Sequence, residues 1–156
     1  MLKDKEFQKI KYPIIEDSCA CKVSLDYLGD KWILLIIRDL FRYRYTFSDF
    51  LHKNTEERIA TNVLSDRLKK LLDLKIINYR LNENNKKIKE YYLTNRGIEL
   101  YDIIFQLQYW TLSNVDFNHS ENTKNWKTSL ASKSRETIIK EKKDNYKKFR
   151  KKIFNF

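Results

Sequence analysis

The sequence predicts a mainly α-helical domain carrying one small β-hairpin. Three observations lead there. Two glycines and one proline in 156 residues supply too few turn-formers for a loop-rich β-sandwich. Apolar residues recur at three- and four-residue spacing in several separate stretches, the signature of amphipathic helices. Residues 77–93 instead alternate with a period of two, as a half-buried strand pair does.

The elements follow in order. Residues 1–18 form a polar N-terminal arm ending at Pro13 and "EDS". Across residues 23–41, Leu25, Leu28, Trp32, Leu35 and Ile36 fall at helical spacing, and residues 32–37 are apolar all round. This predicts a central buried helix, or a pair broken near Gly29. In "YRYTFSDFL", Thr46 with Asp49 three residues on has the form of a capping box, ahead of a short helix burying Phe50 and Leu51. In "IATNVLSDRLKKLLDLKII", Leu64, Leu68, Leu71 and Leu72 form one stripe, and Asn62, Asp66, Lys69 and Lys70 face away from it. Ile77, Tyr79 and Leu81 then alternate, "NENNKK" offers a turn, and Ile88, Tyr91 and Leu93 sit on a return strand. Asparagine supplies there the left-handed conformations usual for glycine. Thr94 is the expected N-cap of a long helix over 97–115, striped by Leu100, Ile103, Ile104, Leu107 and Trp110. "NHSENTKN" reads as a linker, and Ile138, Ile139, Tyr146, Phe149 and Ile153 mark a basic amphipathic helix.

Helix, short helix, turn, amphipathic helix and basic-tipped hairpin is the order of a winged helix-turn-helix. A helix of about 15 residues spans roughly 22 Å and fits the major groove, where base pairs show distinguishable donor and acceptor patterns. The leucine stripe would anchor it and leave the opposite face for DNA. Asn62 suits adenine, Asp66 the amino group of cytosine, and Lys69 and Lys70 phosphate or guanine. Thr61 lies near the helix start, where a hydroxyl and backbone N–H groups can hold a phosphate. Ser65 and Arg67 belong to the same helix, and Arg80, Lys86, Lys87 and Lys89 to the hairpin, whose basic tip has the charge to lie along the DNA backbone.

The net charge of +11 is unevenly placed: residues 117–156 hold 12 Lys+Arg against 4 Asp+Glu, whereas residues 1–116 hold 20 against 17. A basic C-terminal extension of this kind fits a polyanionic partner. The chain thus divides into an arm (1–18), a DNA-binding and dimerisation domain (19–116) and a basic amphipathic extension (117–156).

In order and spacing, "C-x5-LDYLGDKW-x-LLIIRDL", "FSDFL", "LSDRLKKL" and "EYYLTNRG" resemble the HxlR family of bacterial transcriptional regulators, winged-helix relatives of the MarR regulators. The resemblance covers about residues 19–112, and Gly29-Asp30-Lys31-Trp32 and residues 90–97 are its most telling parts. It implies a homodimer on an inverted-repeat operator in double-stranded DNA. Residues 60–73 would be the recognition helix, residues 77–93 the wing, and terminal helices the dimer interface, including Leu100, Ile103, Ile104, Leu107 and Trp110. The sequence departs from the family at several places. Ala60 stands where a serine N-cap is usual, leaving capping to Thr61. Asp66 replaces an amide and Lys75 a glycine, and "NENNKK" replaces a proline-rich wing tip.

Both cysteines, Cys19 and Cys21, lie at the start of a predicted helix, where a thiol's pKa falls and its reactivity rises. A disulfide between them is poorly posed, because side chains two apart on a helix point nearly opposite ways. A bridge between subunits or a mixed adduct is easier. With His52 and His119 the only histidines, a four-ligand zinc site is not supported. Two inert, packing thiols remain the alternative. Cys19 matches the family's N-terminal cysteine, through which some members sense electrophiles or oxidants, so the resemblance implies a thiol switch there.

No nucleophile–base pair, metal cluster or Gly-rich loop argues for an enzyme, and no cofactor is expected. The start "MLKDKEFQKIKYP" has no apolar export segment, and no apolar run approaches the roughly 18 residues of a membrane span. A cytoplasmic protein without membrane insertion is therefore expected. The alternative function is a winged-helix interaction module whose basic tail binds a partner protein or an anionic surface.

Overall fold

The computed structural model describes residues 8–13, 17–52 and 57–155. Its element order is helix-rich with a single hairpin, as the periodicities predict. The stretch 23–41 resolves into two helices, α1 (Ala20–Leu28) and α2 (Lys31–Phe41). The break lies between two caps, Gly29 closing α1 and Asp30 opening α2. Gly29 donates to Leu25 O at 2.7 Å, and any Cβ at Gly29 would come within 2.4 Å of that oxygen. Asp30 then opens α2 by accepting from the N–H groups of Trp32 and Ile33 at 2.9 and 3.1 Å. Because the break resets the helical phase, Leu25 leaves the expected buried stripe and is exposed. α2 is the central element: Ile33, Ile36, Ile37, Leu40 and Phe41 are buried between α4, α6 and strand β2. That position accounts for a run apolar on every side.

Thr46 and Asp49 form the expected capping box at α3 (Phe47–His52). Asp49 Oδ2 accepts from Thr46 N, and Thr46 Oγ1 accepts from Asp49 N, both at 3.1 Å. Phe50 is fully buried. α4 (Thr61–Asp73) puts Leu64, Leu68 and Leu71 into the core. Its N-cap position is Ala60, whose methyl makes no capping hydrogen bond, and Thr61, already inside the helix, does not substitute for it. At the far end Lys75 takes φ 56°, a conformation that costs a side-chain-bearing residue about 1–2 kcal/mol. Lys75→Gly should therefore raise stability by about 1 kcal/mol, read as a higher urea midpoint with unchanged slope.

β1 (Ile77–Leu81) and β2 (Lys89–Leu93) pair antiparallel, with Ile77 opposite Leu93. The tip is turned by asparagine side chains rather than by left-handed backbone. Asn82 Oδ1 accepts from Asn84 N and Asn85 N, and Asn85 Oδ1 accepts from Lys87 N. No residue of 82–88 has positive φ, which corrects the expected turn chemistry. β2 does not alternate either: Tyr91, Tyr92 and Leu93 are all buried, because the chain's last helix covers the face opposite the core. Tyr92 packs there on Phe154 with ring centroids 4.9 Å apart.

The expected long helix is α5 (Asn95–Glu99) and α6 (Tyr101–Asn114), stepped at Leu100. Thr94 caps it as expected, accepting from Gly97 N and donating to Lys75 O. Gly97 has a further reason to lack a side chain, since a Cβ would lie 2.2 Å from Ile76 O. The proposed linker shrinks to residues 118–120, because Ser120 caps α7 (Glu121–Ser132). Ser134 caps α8 (Arg135–Phe154). The apolar stripe of α8 is spent on the chain's own core. Ile138 and Tyr146 join the central cluster, Tyr146 Oη accepts from Leu93 N at 2.9 Å, and Arg150 donates to Leu93 O at 2.9 Å. No helix of the described residues is long and apolar enough to cross a membrane.

Candidate nucleic-acid interface

With its leucines anchored in the core, α4 presents Thr61, Asn62, Ser65, Asp66 and Lys69 to solvent. A helix of 13 residues spans about 20 Å, enough to lie along the major groove. Three expected contact residues, Asp66, Arg67 and Lys70, are engaged within the fold. Arg67 bridges Asp30 at 2.9 Å and Asp66 at 2.5 Å, and this ion pair holds the Asp30 carboxyl below the usual range. Asp30 thus serves twice, capping α2 with one oxygen and fixing α4 with the other. That double use gives a physical reason for the Gly29-Asp30-Lys31-Trp32 run. Lys70, half-buried, donates to Asp26 O at 3.2 Å.

On the wing, Lys86, Lys87 and Lys89 are exposed at or beside the tip. Lys89 Nζ lies 4.5 Å over the Tyr79 ring. Arg80 instead turns onto the sheet. It donates to the buried Glu90 at 2.8 Å and stacks 4.9 Å over Phe154. Its hydrogen bond, with another from Asn82 at 2.7 Å, keeps the Glu90 carboxyl below the usual range against the opposing effect of burial. Arg80 therefore fixes the wing's shape just below its tip, one pair in from Leu81 and Lys89. Ser48, not singled out from the sequence, is exposed in the first turn of α3 and shares with Lys87 and Lys89 the walls of a cleft between α3 and the wing. Its position beside the basic tip depends on tertiary pairing, which leaves no mark on local pattern.

The stripe on α6 divides. Ile104 is buried and Leu100 half-buried, whereas Ile103, Leu107 and Trp110 are 39, 49 and 61% exposed. Four and then three residues apart, these last three make one apolar ridge. Cys19 is the N-cap residue of α1, and Cys21 lies in its first turn; both are exposed, free thiols. The backbone N–H groups of Lys22 and Cys21 face the Cys19 sulfur and lower its pKa below that of an ordinary thiol. Among the described residues no group of His, Cys, Asp and Glu is placed to hold a metal ion.

The model of the HxlR-like helix-turn-helix family matches residues 27–119. PA1607, assigned as a transcription factor, is similar at 28% identity and a TM-score of 0.59, over 67% of this chain and 73% of its own. The redox regulator HypR, in its oxidized form, is 26% identical with a TM-score of 0.55, over 64% of this chain and all of its own. The reduced form of YodB from B. subtilis, a transcriptional regulator, shares the fold at 24% identity and a TM-score of 0.51, over 65% of this chain and 99% of its own. No curated protein matches the chain significantly. Residues 120–156 lie beyond the family match.

Proposed function

The chain belongs to the HxlR-like helix-turn-helix family, and from that premise we propose that it is a sequence-specific transcriptional regulator binding an inverted-repeat operator as a homodimer. The observation that carries this reading is α4 itself. Three leucines fix it in the core, while Thr61, Asn62, Ser65, Asp66 and Lys69 stand exposed together. Asn62 reads a base, ideally adenine through a bidentate pair. Asp66 is held by Arg67 in the free protein, so it reads cytosine only by sharing or releasing that partner. Lys86, Lys87 and Lys89 grip phosphate. The Ile103, Leu107 and Trp110 ridge supports a dimer through α6, because exposed apolar surface of this kind gains by burial against a second copy.

The test separates reading from gripping. Asn62→Ala should cost about 1–3 kcal/mol at one base step and relax preference there. Lys87→Gln should weaken all duplexes about equally and make the salt slope shallower by about one unit. Unchanged preference in Asn62→Ala would move the recognition face elsewhere.

The proposal extends to a thiol switch at Cys19, supported by its exposure, its lowered pKa and its place at a helix start. The likeness to a redox regulator supports the same reading. Oxidation joins Cys19 across the dimer, the two thiols giving up two hydrogens to an oxidant such as diamide. Diamide should abolish operator binding by the native protein and by Cys21→Ser, and spare Cys19→Ser. Equal loss in all three would remove Cys19 from the mechanism.

A further inference from the structure

Four helices line a small, half-open polar cavity of about 100 Å³ whose charges are not balanced. Arg38, Phe41 and Arg42 of α2 form one wall, Tyr101, Ile104 and Gln108 of α6 a second, Asn122 and Trp126 of α7 a third, and Lys142 of α8 closes it. Of the three cations, only Arg38 has carboxylate partners, Asp39 at 2.8 Å and Glu57 at 2.7 Å. Asp39 is also held by Arg44. Arg42 and Lys142, both half-buried, make no hydrogen bond or ion pair among the described residues; Arg42 feels Asp39 and Glu57 only through space, and Lys142 lies 6.0 Å over the Tyr43 ring. Burial, then repulsion from Arg38 and Arg44, lowers the pKa of Arg42, and burial, then repulsion from Arg42, lowers that of Lys142. A third feature points the same way. The buried Trp126 indole Nε1 faces the Tyr101 hydroxyl but makes no hydrogen bond of normal geometry, although buried donors are nearly always satisfied.

We infer that this cavity is the binding site for a small organic carboxylate with an apolar body, held by Arg42, Lys142 and Trp126 Nε1. Arg42 offers the planar fork that fits a carboxylate, and Lys142 a point charge. Trp126 Nε1 supplies the third donor. A carboxylate also relieves the repulsion between the two cations. The apolar body follows from the adjoining space. A second cavity of about 260 Å³ shares Arg38, Arg42, Ile104, Gln108 and Trp126 with the first and continues past Leu34, Leu35 and Phe117. Asn122, Trp126 and Lys142 lie beyond the family match at 27–119. The site is therefore one that the C-terminal helices of this chain create against the shared core.

The test is thermal unfolding of the full chain with sodium acetate, 3-methylbutanoate or phenylacetate, each beside its neutral amide, at constant total sodium. At about ten times the dissociation constant, a binding carboxylate should raise Tm by about 3–5 °C, with 3-methylbutanoate or phenylacetate ahead of acetate and the amides without effect. The double variant Arg42→Gln/Lys142→Gln should lose the rise, and Arg42→Gln alone should lose most of it should the double variant not fold. No rise with any of the three acids, an equal rise with the amides, or a full rise in the variants would overturn the site.

Discussion

Replacing Tyr146 with alanine should destabilise the protein by about 3–5 kcal/mol, a large share of the 5–15 kcal/mol that holds a typical domain together. The effect has two parts. Tyr146 is 1% exposed and packs its ring against Phe41 and Phe149, with centroids 5.3 and 5.8 Å apart; losing it opens a cavity between α2 and α8. Its hydroxyl also accepts from the backbone N–H of Leu93, which would be left buried and unpaired. Tyr146→Phe isolates the second part and should cost about 1–3 kcal/mol. Melting curves of the three proteins separate these terms, at about 2–4 °C per kcal/mol for a chain of this size. The consequence reaches the wing. Leu93 ends β2, so a helix outside the family match holds one strand of the hairpin in place through Tyr146 and Arg150.

Asp39→Ala should be comparably severe, about 3–5 kcal/mol, because it removes one member of a buried ionic cluster and leaves cations behind. Asp39 is fully buried and accepts from Arg38 Nε and Nη2 at 3.1 and 2.8 Å and from Arg44 at 3.3 Å. Arg38 retains Glu57 when Asp39 is lost, so the penalty comes from guanidinium groups that no longer meet the buried Asp39 carboxylate. Urea unfolding measures the loss. A change below 1 kcal/mol would mean that solvent reaches the cluster.

Much of this fold is legible in the sequence because the informative signals are periodic and local. The leucines of α4, the change of period at the wing and the Thr46–Asp49 capping box each describe a few neighbouring residues, and each element forms where they lie, although burial along the two wing strands does not alternate. The break at Gly29 is legible only as an alternative, because residues 23–41 read equally well as one helix. Signals that depend on remote partners are silent. Nothing near Arg67 shows that Asp30 will hold it, or near Arg80 that Glu90 and Phe154 will. Tyr92 falls on the face opposite Tyr91 and Leu93, and Phe154 of α8, far along the chain, covers it. The first turn of α7 is read as linker and the rest goes unassigned, because "NTKNWKTSLAS" carries only Trp126 and Leu130 as sizeable apolar groups, too few for a stripe. Of the interface, the exposed polar face of α4 and the basic wing tip are legible, while the neighbouring Ser48 and the unbalanced cavity under α7 are products of tertiary packing.

The most direct test of the central claim is selection from a pool of random duplexes, followed by binding of the selected duplex and a scrambled copy at fixed salt. The account predicts an inverted repeat bound about 10³-fold or more tightly than its scrambled copy, with the preference relaxed at one step in each half-site by Asn62→Ala. A pool that yields no preferred sequence, with all duplexes bound alike and only through salt-sensitive contacts, would contradict it.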